Sequence, residues 1–305
     1  MIELSIIGIT TLFLIMGSYF DLRTGEIPEK ISIGLIVTIL SYSLIYSIYT
    51  GDIDFFGNAL LLGAGYFILA YILFYMGEWG GGDVKLLTGI GCSLAFLDAA
   101  GYFKDVSALP YYIDYFINMA LISAPYLIIY SLILGLMKKE VIEEFIGYFK
   151  TKTTLLLIIL SFIPAIFSIW ISIGPPITII YLCIPFIVVL SFYMRAVEIH
   201  ALQKTVAVDE LMEWDVVAED IKVDDKKIAS KRDIEGLTRK DIKTIRELAA
   251  EGKIPKEIRI KWGIKFAPIL FLAFVASVLV GNLMEIFVAN MLGNTEFHNL
   301  MYPFQ

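Results

Sequence analysis

Long apolar stretches dominate the sequence and decide what the chain can fold into. Hydrophobic residues make up 58% of the chain and the mean hydropathy is +0.77, whereas soluble domains are usually about 45–50% apolar. A spanning helix needs about 20 mostly apolar residues, because backbone polar groups find no partner in hydrocarbon. The stretches that meet this requirement are 2–20, 31–50, 57–77, 86–103, 113–137, 153–173, 177–194 and 266–290. We therefore predict an all-α, polytopic transmembrane helix bundle with about eight spans.

The distribution of Lys and Arg predicts how this bundle is oriented. With the N-terminus outside, 23 of the 24 Lys and Arg residues lie on the cytoplasmic side, and Lys104 alone lies outside. Positively charged loops are retained in the cytoplasm. We therefore expect a multi-pass protein of the cell membrane with its N-terminus outside.

Charge and residue counts exclude several other classes of protein. The net charge of −7 argues against a nucleic-acid partner, because phosphate binding needs a basic surface. The chain contains two histidines, His200 and His298, and two cysteines, Cys92 and Cys183. These are too few and too scattered for a zinc site, so we expect no metal and no cofactor.

Two aspartates stand at the ends of apolar stretches. Asp21 follows the first stretch and Asp83 precedes the fourth. Two spans separate them, so the chain crosses the membrane and returns, and both carboxylates face the same side. The charge distribution makes that side cytoplasmic.

Two carboxylates held close together can share one proton, because both cannot ionise cheaply. The ionised one can then accept a proton from a water that attacks a peptide carbonyl, and the protonated one can donate to the leaving amine. Which aspartate is the base is left open, since such a pair titrates as a unit. The glycines Gly80, Gly81 and Gly82 allow the backbone to approach a substrate strand or a neighbouring helix closely.

The motif Gly80-x-Gly82-Asp83-Val84-Lys85, with Asp21-Leu22-Arg23 and Ile27-Pro28, resembles the intramembrane aspartyl proteases of the type IV prepilin peptidase group. That group includes the archaeal prepilin and preflagellin peptidases. The resemblance implies that Asp21 and Asp83 are the catalytic pair. It also implies that prepilin-like or preflagellin-like precursors are the partners, cut between a basic leader and a hydrophobic helix at the cytoplasmic border of the membrane.

The same resemblance has limits along the chain. Bacterial members often carry a tetracysteine zinc domain and methylate the new N-terminus; this chain has only two cysteines, so we expect proteolysis alone. Presenilin-type relatives carry a Pro-Ala-Leu motif, which does not occur here. The sequence indicates no oligomeric state.

Further charged residues crowd the same border. Glu26, Glu29 and Glu78 could attract the basic leader, or could simply be solvated loop residues. Lys85 could tune the carboxylates, or could extend to a lipid phosphate. We predict that these residues assist the two aspartates, by contacts with the substrate leader or by their charge.

These observations predict that the chain is organised in four parts. They are a catalytic membrane core at 1–137, further spans at 138–194, a cytoplasmic soluble module at 195–265, and a last span with an external tail at 266–305. The module is almost neutral and contains a predicted helix, because Thr238 and Asp241 resemble a capping box and Gly252 ends the helical pattern.

Two other functions compete with the protease. A proton- or cation-coupled transporter could use the same aspartates, although transporter sites usually lie near the membrane midplane rather than at span borders. An inactive scaffold of pilus assembly is the third candidate, and it would cleave no substrate.

Overall fold

A computed structural model describes residues 2–77, 79–103, 109–171, 174–223, 226–230, 236–261 and 263–292. It divides into two compact units, which are described separately. Unit 1 consists of Met1–Tyr126 with Gly263–Gln305, and unit 2 of Leu127–Trp262.

Helices make up most of both units. In chain order they are α1 (Ile2–Thr24), α2 (Glu29–Thr50), α3 (Asp54–Tyr75), α4 (Gly81–Ala99), α5 (Tyr111–Leu136), α6 (Lys139–Tyr148), α7 (Lys152–Ser161), α8 (Ile163–Trp170), α9 (Pro175–His200), α10 (Arg239–Ala250), α11 (Ala267–Leu279) and α12 (Leu283–Leu292). The strands are β1 (Gln203–Ala207), β2 (Ile221–Val223), β3 (Lys226–Ala229) and β4 (Glu257–Lys261).

Among the described residues, six segments are long and apolar enough to cross a membrane. They are α1, α2, α3, α5, the pair α7 and α8, and most of α9. The last apolar stretch is broken instead of straight, since α11 and α12 are bent by 62° and count as a seventh span only if they are taken together. The predicted all-α polytopic membrane fold is confirmed. The number of spans and the orientation stay predictions.

Helix α4 forms the centre of unit 1. Every residue from Leu86 to Leu97 is buried, and α4 packs against α1, α2, α3 and α11. It carries Asp83, Lys85 and Asp98, and it does not count among the six apolar segments. These charges lie near the two ends of α4, whereas its buried middle, Leu86–Leu97, contains no charged residue. The part of the helix that would be deepest in a membrane is therefore uncharged, and charge is most costly at that depth.

Small residues let the neighbouring helices approach α4 closely. Gly63 of α3 lies against Cys92, whose Sγ atom leaves no room for an added methyl group, and Gly91 of α4 lies against the ring of Tyr66. Thr10 of α1 and Ser93 of α4 share a buried hydrogen bond of 2.8 Å. Close approach and interhelical hydrogen bonds hold helices together where lipid removes the hydrophobic driving force.

At the break between α11 and α12, a side chain of α5 supplies hydrogen bonds to the backbone groups that have no helical partner. Asn118 Nδ2 donates to the backbone oxygen of Gly281 at 2.7 Å, and its Oδ1 accepts from the backbone N–H of Leu283 at 2.9 Å. Asn282 Nδ2 donates to Asp114 Oδ1 at 2.6 Å. These bonds replace the helical bonds that are lost at the bend, which is how non-helical backbone is tolerated at membrane depth.

Unit 2 contains apolar helices and a small polar module. In the module, β1 pairs antiparallel with β4, from Gln203 opposite Lys261 to Ala207 opposite Glu257, and β2 pairs antiparallel with β3. The apolar face of α10 contributes Ile242, Ile245 and Ala249 to the module's core.

The predicted module helix is confirmed as α10. The backbone N–H of Thr238 donates to Asp241 Oδ2 at 3.0 Å, and Thr238 Oγ1 accepts from the backbone N–H of Asp241 at 3.3 Å. Gly252 follows the helix with φ +73°. The strands were not predicted from the sequence, because each is short and β1 pairs with β4, which lies more than 40 residues further along the chain.

Candidate active site

Asp21 lies in the last turn of α1 and is 6% exposed. Its Oδ2 atom accepts a hydrogen bond of 3.0 Å from the backbone N–H of Ala267, the first residue of α11. The first N–H groups of a helix have no partner within the helix and carry partial positive charge. The N-terminus of α11 therefore holds the Asp21 carboxylate in place.

Asp83 lies in the first turn of α4 and is fixed by its own helix. Its Oδ2 atom accepts a hydrogen bond of 3.2 Å from the backbone N–H of Gly80. Its Oδ1 atom is buried and has no hydrogen-bond partner within the described part of the chain. A buried acceptor without a partner is uncommon and marks a position where a substrate or water can bind.

The two aspartates lie close enough to interact electrostatically. The structure therefore brings together the two carboxylates that the span count places on one side of the membrane. Each is held by the N-terminus of a different helix, Asp83 by that of α4 and Asp21 by that of α11. Such a pair, with one free oxygen, can bind and activate a water molecule.

The loop between α1 and α2 positions the start of α4. A methyl group added at Gly82 would lie 2.8 Å from Cβ of Ile27. One added at Gly17, four residues before Asp21, would lie 3.0 Å from Leu86 Cδ1 and 3.9 Å from Ile27 Cγ2. Ile27 therefore packs against both α1 and α4 at glycines, and the absence of side chains at those glycines lets the two helices approach this closely.

The three glycines of the motif have different environments. Gly80 precedes α4 in an extended conformation and donates to Asp83. Gly81 has room for a side chain, since an added methyl group would lie 3.9 Å from Phe74 Cε2. Gly82 has no such room, because Ile27 is already there.

The other predicted site residues lie at the rim. Lys85 Nζ lies 2.6 Å from Glu29 Oε1, so this pair joins α4 to the start of α2. Glu26 is exposed in the loop between α1 and α2. Glu78 lies outside the described residues.

The site also contains a segment that sequence reasoning did not single out, residues 265–267. Lys265 is 5% exposed and interacts electrostatically with both aspartates. The ring of Phe266 lies 4.7 Å from that of Trp79, and Ala267 holds Asp21. The sequence feature that could have drawn attention to this segment is Lys265, which directly precedes the last apolar stretch. An ionisable residue at the border of a span is costly and therefore often has a function.

No group of three or more His, Cys, Asp or Glu side chains suited to a metal ion lies among the described residues. The groups that the site does contain are two carboxylates, a buried lysine and backbone N–H groups.

Comparison with known proteins shows a similarity to one family. The model of the type IV leader peptidase family matches residues 8–138, a range that includes Asp21, Ile27 and the motif from Gly80 to Asp83. The resemblance expected from the motifs is confirmed by this match.

A curated relative extends the similarity to most of the chain. The protein named prepilin peptidase EppA of Methanothermobacter thermautotrophicus is 26% identical, over 92% of this chain and 96% of its own length. No solved structure matches the chain. Both matches are to peptidases, and neither supports the transporter alternative.

The contact between Gly82 and Ile27 predicts a position-specific effect on peptidase activity. Gly82→Ala should lower kcat about 10-fold or more, because a methyl group there displaces the first turn of α4 and with it Asp83, and small misplacements of catalytic groups are costly. The loss of kcat is measured from the rate at which the purified full chain, in detergent, cleaves a substrate that carries a leader.

The matched control is the neighbouring glycine. Gly81→Ala adds the same methyl group in free space and should keep kcat within about 2-fold, since it touches Phe74 only at an ordinary contact distance. Equal losses in both variants would show that Ile27 does not set the position of Asp83.

Proposed function

We propose that this protein is a membrane-embedded aspartic endopeptidase that removes the basic leader from prepilin-like or preflagellin-like precursors. The observation that carries the proposal is the pairing of Asp21 and Asp83 at the ends of two helices, with one unpaired oxygen on Asp83. The family match and the peptidase name of the relative support it.

In the proposed mechanism the carboxylate pair holds one proton. The ionised carboxylate takes a proton from the bound water as its oxygen attacks the peptide carbonyl, and the protonated one supports the developing oxyanion. The C–N bond then breaks, and the proton goes to the leaving amine. Because the two groups titrate as a pair, neither is assigned as the base.

The position of the pair suits a substrate whose cleavage site borders a hydrophobic helix. Asp21 lies in the last turn of α1 and Asp83 in the first turn of α4. Both therefore lie near a helix end, where water can reach the membrane border. We propose that the hydrophobic helix of the precursor enters the membrane while its basic leader stays on the cytoplasmic side. That orientation rests on the distribution of Lys and Arg.

Replacing either aspartate tests the function directly. Asp21→Asn and Asp83→Asn should each reduce kcat at least about 10³-fold, because an amide can neither accept the proton of water nor share a proton with the other carboxylate. Cleavage of a substrate with a basic leader and a hydrophobic helix, followed by mass spectrometry of the products, measures this loss.

The control is another aspartate at a helix end. Asp54 is exposed in the first turn of α3, and Asp54→Asn should leave kcat within about 2-fold. If both aspartate variants insert normally and still cleave, the aspartic mechanism is wrong. If the unmodified chain cleaves nothing, the scaffold hypothesis is favoured.

We further propose that Glu26 attracts the basic leader. Of the three predicted glutamates, Glu29 already pairs with Lys85, whereas Glu26 is exposed beside Ile27 and free of any ion pair in the described residues. Glu26→Gln should raise KM about 2- to 5-fold at low salt and less at high salt, the scale of an exposed charge pair.

A second substrate makes this test specific. If the leader lysines are replaced by glutamine, Glu26→Gln should have no further effect on KM, because the charge attraction is already absent. A rise in KM that is equal for both substrates would mean that Glu26 acts through the structure of the loop.

A further inference from the structure

Lys265 is a buried lysine outside the motif from Gly80 to Lys85. Lysine is almost never buried unless it is paired with negative charge, yet Lys265 is 5% exposed. It stands between the end of β4 and the start of α11, two residues before the N–H group that holds Asp21. The charged groups with which it interacts include both aspartates of the proposed pair.

The two residues that follow Lys265 are fixed next to the aspartates. The backbone N–H of Ala267 donates to Asp21 Oδ2 at 3.0 Å, and the ring of Phe266 packs on that of Trp79 with 4.7 Å between the ring centroids. Trp79 directly precedes Gly80, whose backbone N–H donates to Asp83. Phe266 and Ala267 therefore attach this segment to both aspartates independently of the lysine.

Other cations near the pair are engaged elsewhere. Lys85 of α4 pairs with Glu29 of α2 at 2.6 Å, and Arg23 of α1 donates to the hydroxyl of Tyr19 at 2.7 Å. Both contacts are at the surface, where solvent screens their charge. Lys265 is the buried one.

We propose that Lys265 is a positioning residue that keeps the Asp21–Asp83 pair singly ionised. The inference rests on the proposed function, because it gives the lysine a role only if the pair is catalytic.

The physical reason is the cost of charge in a buried site. Two carboxylates alone in a low-dielectric site are most stable with both protonated, and then no base is available. A neighbouring ammonium group stabilises one negative charge, so that the site as a whole is neutral with one base and one acid. Removal of the lysine changes the protonation of the aspartate pair and leaves the substrate-binding surface as it is. It should therefore alter kcat and not KM.

Lys265→Met and Lys265→Arg test this in the purified full chain. Lys265→Met should lower kcat at least about 10-fold near neutral pH and keep KM within about 2-fold. The acidic limb of its pH–rate profile should move to higher pH, because a carboxylate without a neighbouring cation needs a higher pH to ionise. Part of the loss should therefore be recovered in alkaline buffer. Lys265→Arg keeps the positive charge and should restore both kcat and the pH profile.

Two further variants complete the design. Lys256→Met removes an exposed lysine nine residues earlier in the chain and should change nothing. If Lys265→Met is not recovered as a folded protein, Lys265→Gln, which keeps a polar group of similar length, takes its place with the same expected profile.

The outcomes separate this inference from the proposed function. A normal pH profile in Lys265→Met, or a loss that is equal at every pH and is not restored by arginine, overturns the role of Lys265. If Asp21→Asn and Asp83→Asn are inactive at the same time, the aspartic mechanism stands. If those two variants cleave normally, the proposed function fails and the inference fails with it.

Discussion

The interaction of two carboxylates at the ends of helices, that of the buried Asp21 and that of the half-buried Asp83, is the constraint around which unit 1 is built. Like charges in a low-dielectric site repel each other strongly, so such a pair persists only if its surroundings supply positive charge and hydrogen bonds. Here the N-terminus of α4 holds Asp83, the N-terminus of α11 holds Asp21, and the ammonium group of Lys265 interacts with both. Helices that are far apart in the sequence must therefore meet at one point.

Close packing around α4 provides that meeting point. Glycines at the contacts with α3 and with the loop before α2 remove the side chains that would hold the helices apart. The break between α11 and α12 is compensated by Asn118, which bonds the backbone on both sides of it. These polar contacts keep α11 in a defined position, and its first N–H group is the one that fixes Asp21.

Local and compositional features were predictable from the sequence. The apolar stretches predicted the helices of the membrane fold, the span count predicted that Asp21 and Asp83 lie on one side of the membrane, and the capping box marked the start of α10. Other features depend on partners distant in the chain. Lys265 is more than 180 residues from Asp83, β1 pairs with β4 across a helix, and the bend at Gly281 is stabilised by a side chain of α5. Periodicity and spacing carry no information about such partners, so these features appear only in the folded structure.

Cross-linking tests the convergence of α1 and α4 most directly. In a chain with Cys92→Ala and Cys183→Ala, the substitutions Asp21→Cys and Asp83→Cys are introduced, the membranes are treated with a short bis-methanethiosulfonate reagent that forms a disulfide with each cysteine, and linked peptides are identified by mass spectrometry. The account predicts efficient linkage for this pair and none for Asp54→Cys with Asp83→Cys. Asp54 lies at the start of α3, and the 22 residues of that helix, about 33 Å in length, separate it from the helix end that leads to Asp83. No linkage between positions 21 and 83, or the same yield in both pairs, would contradict it.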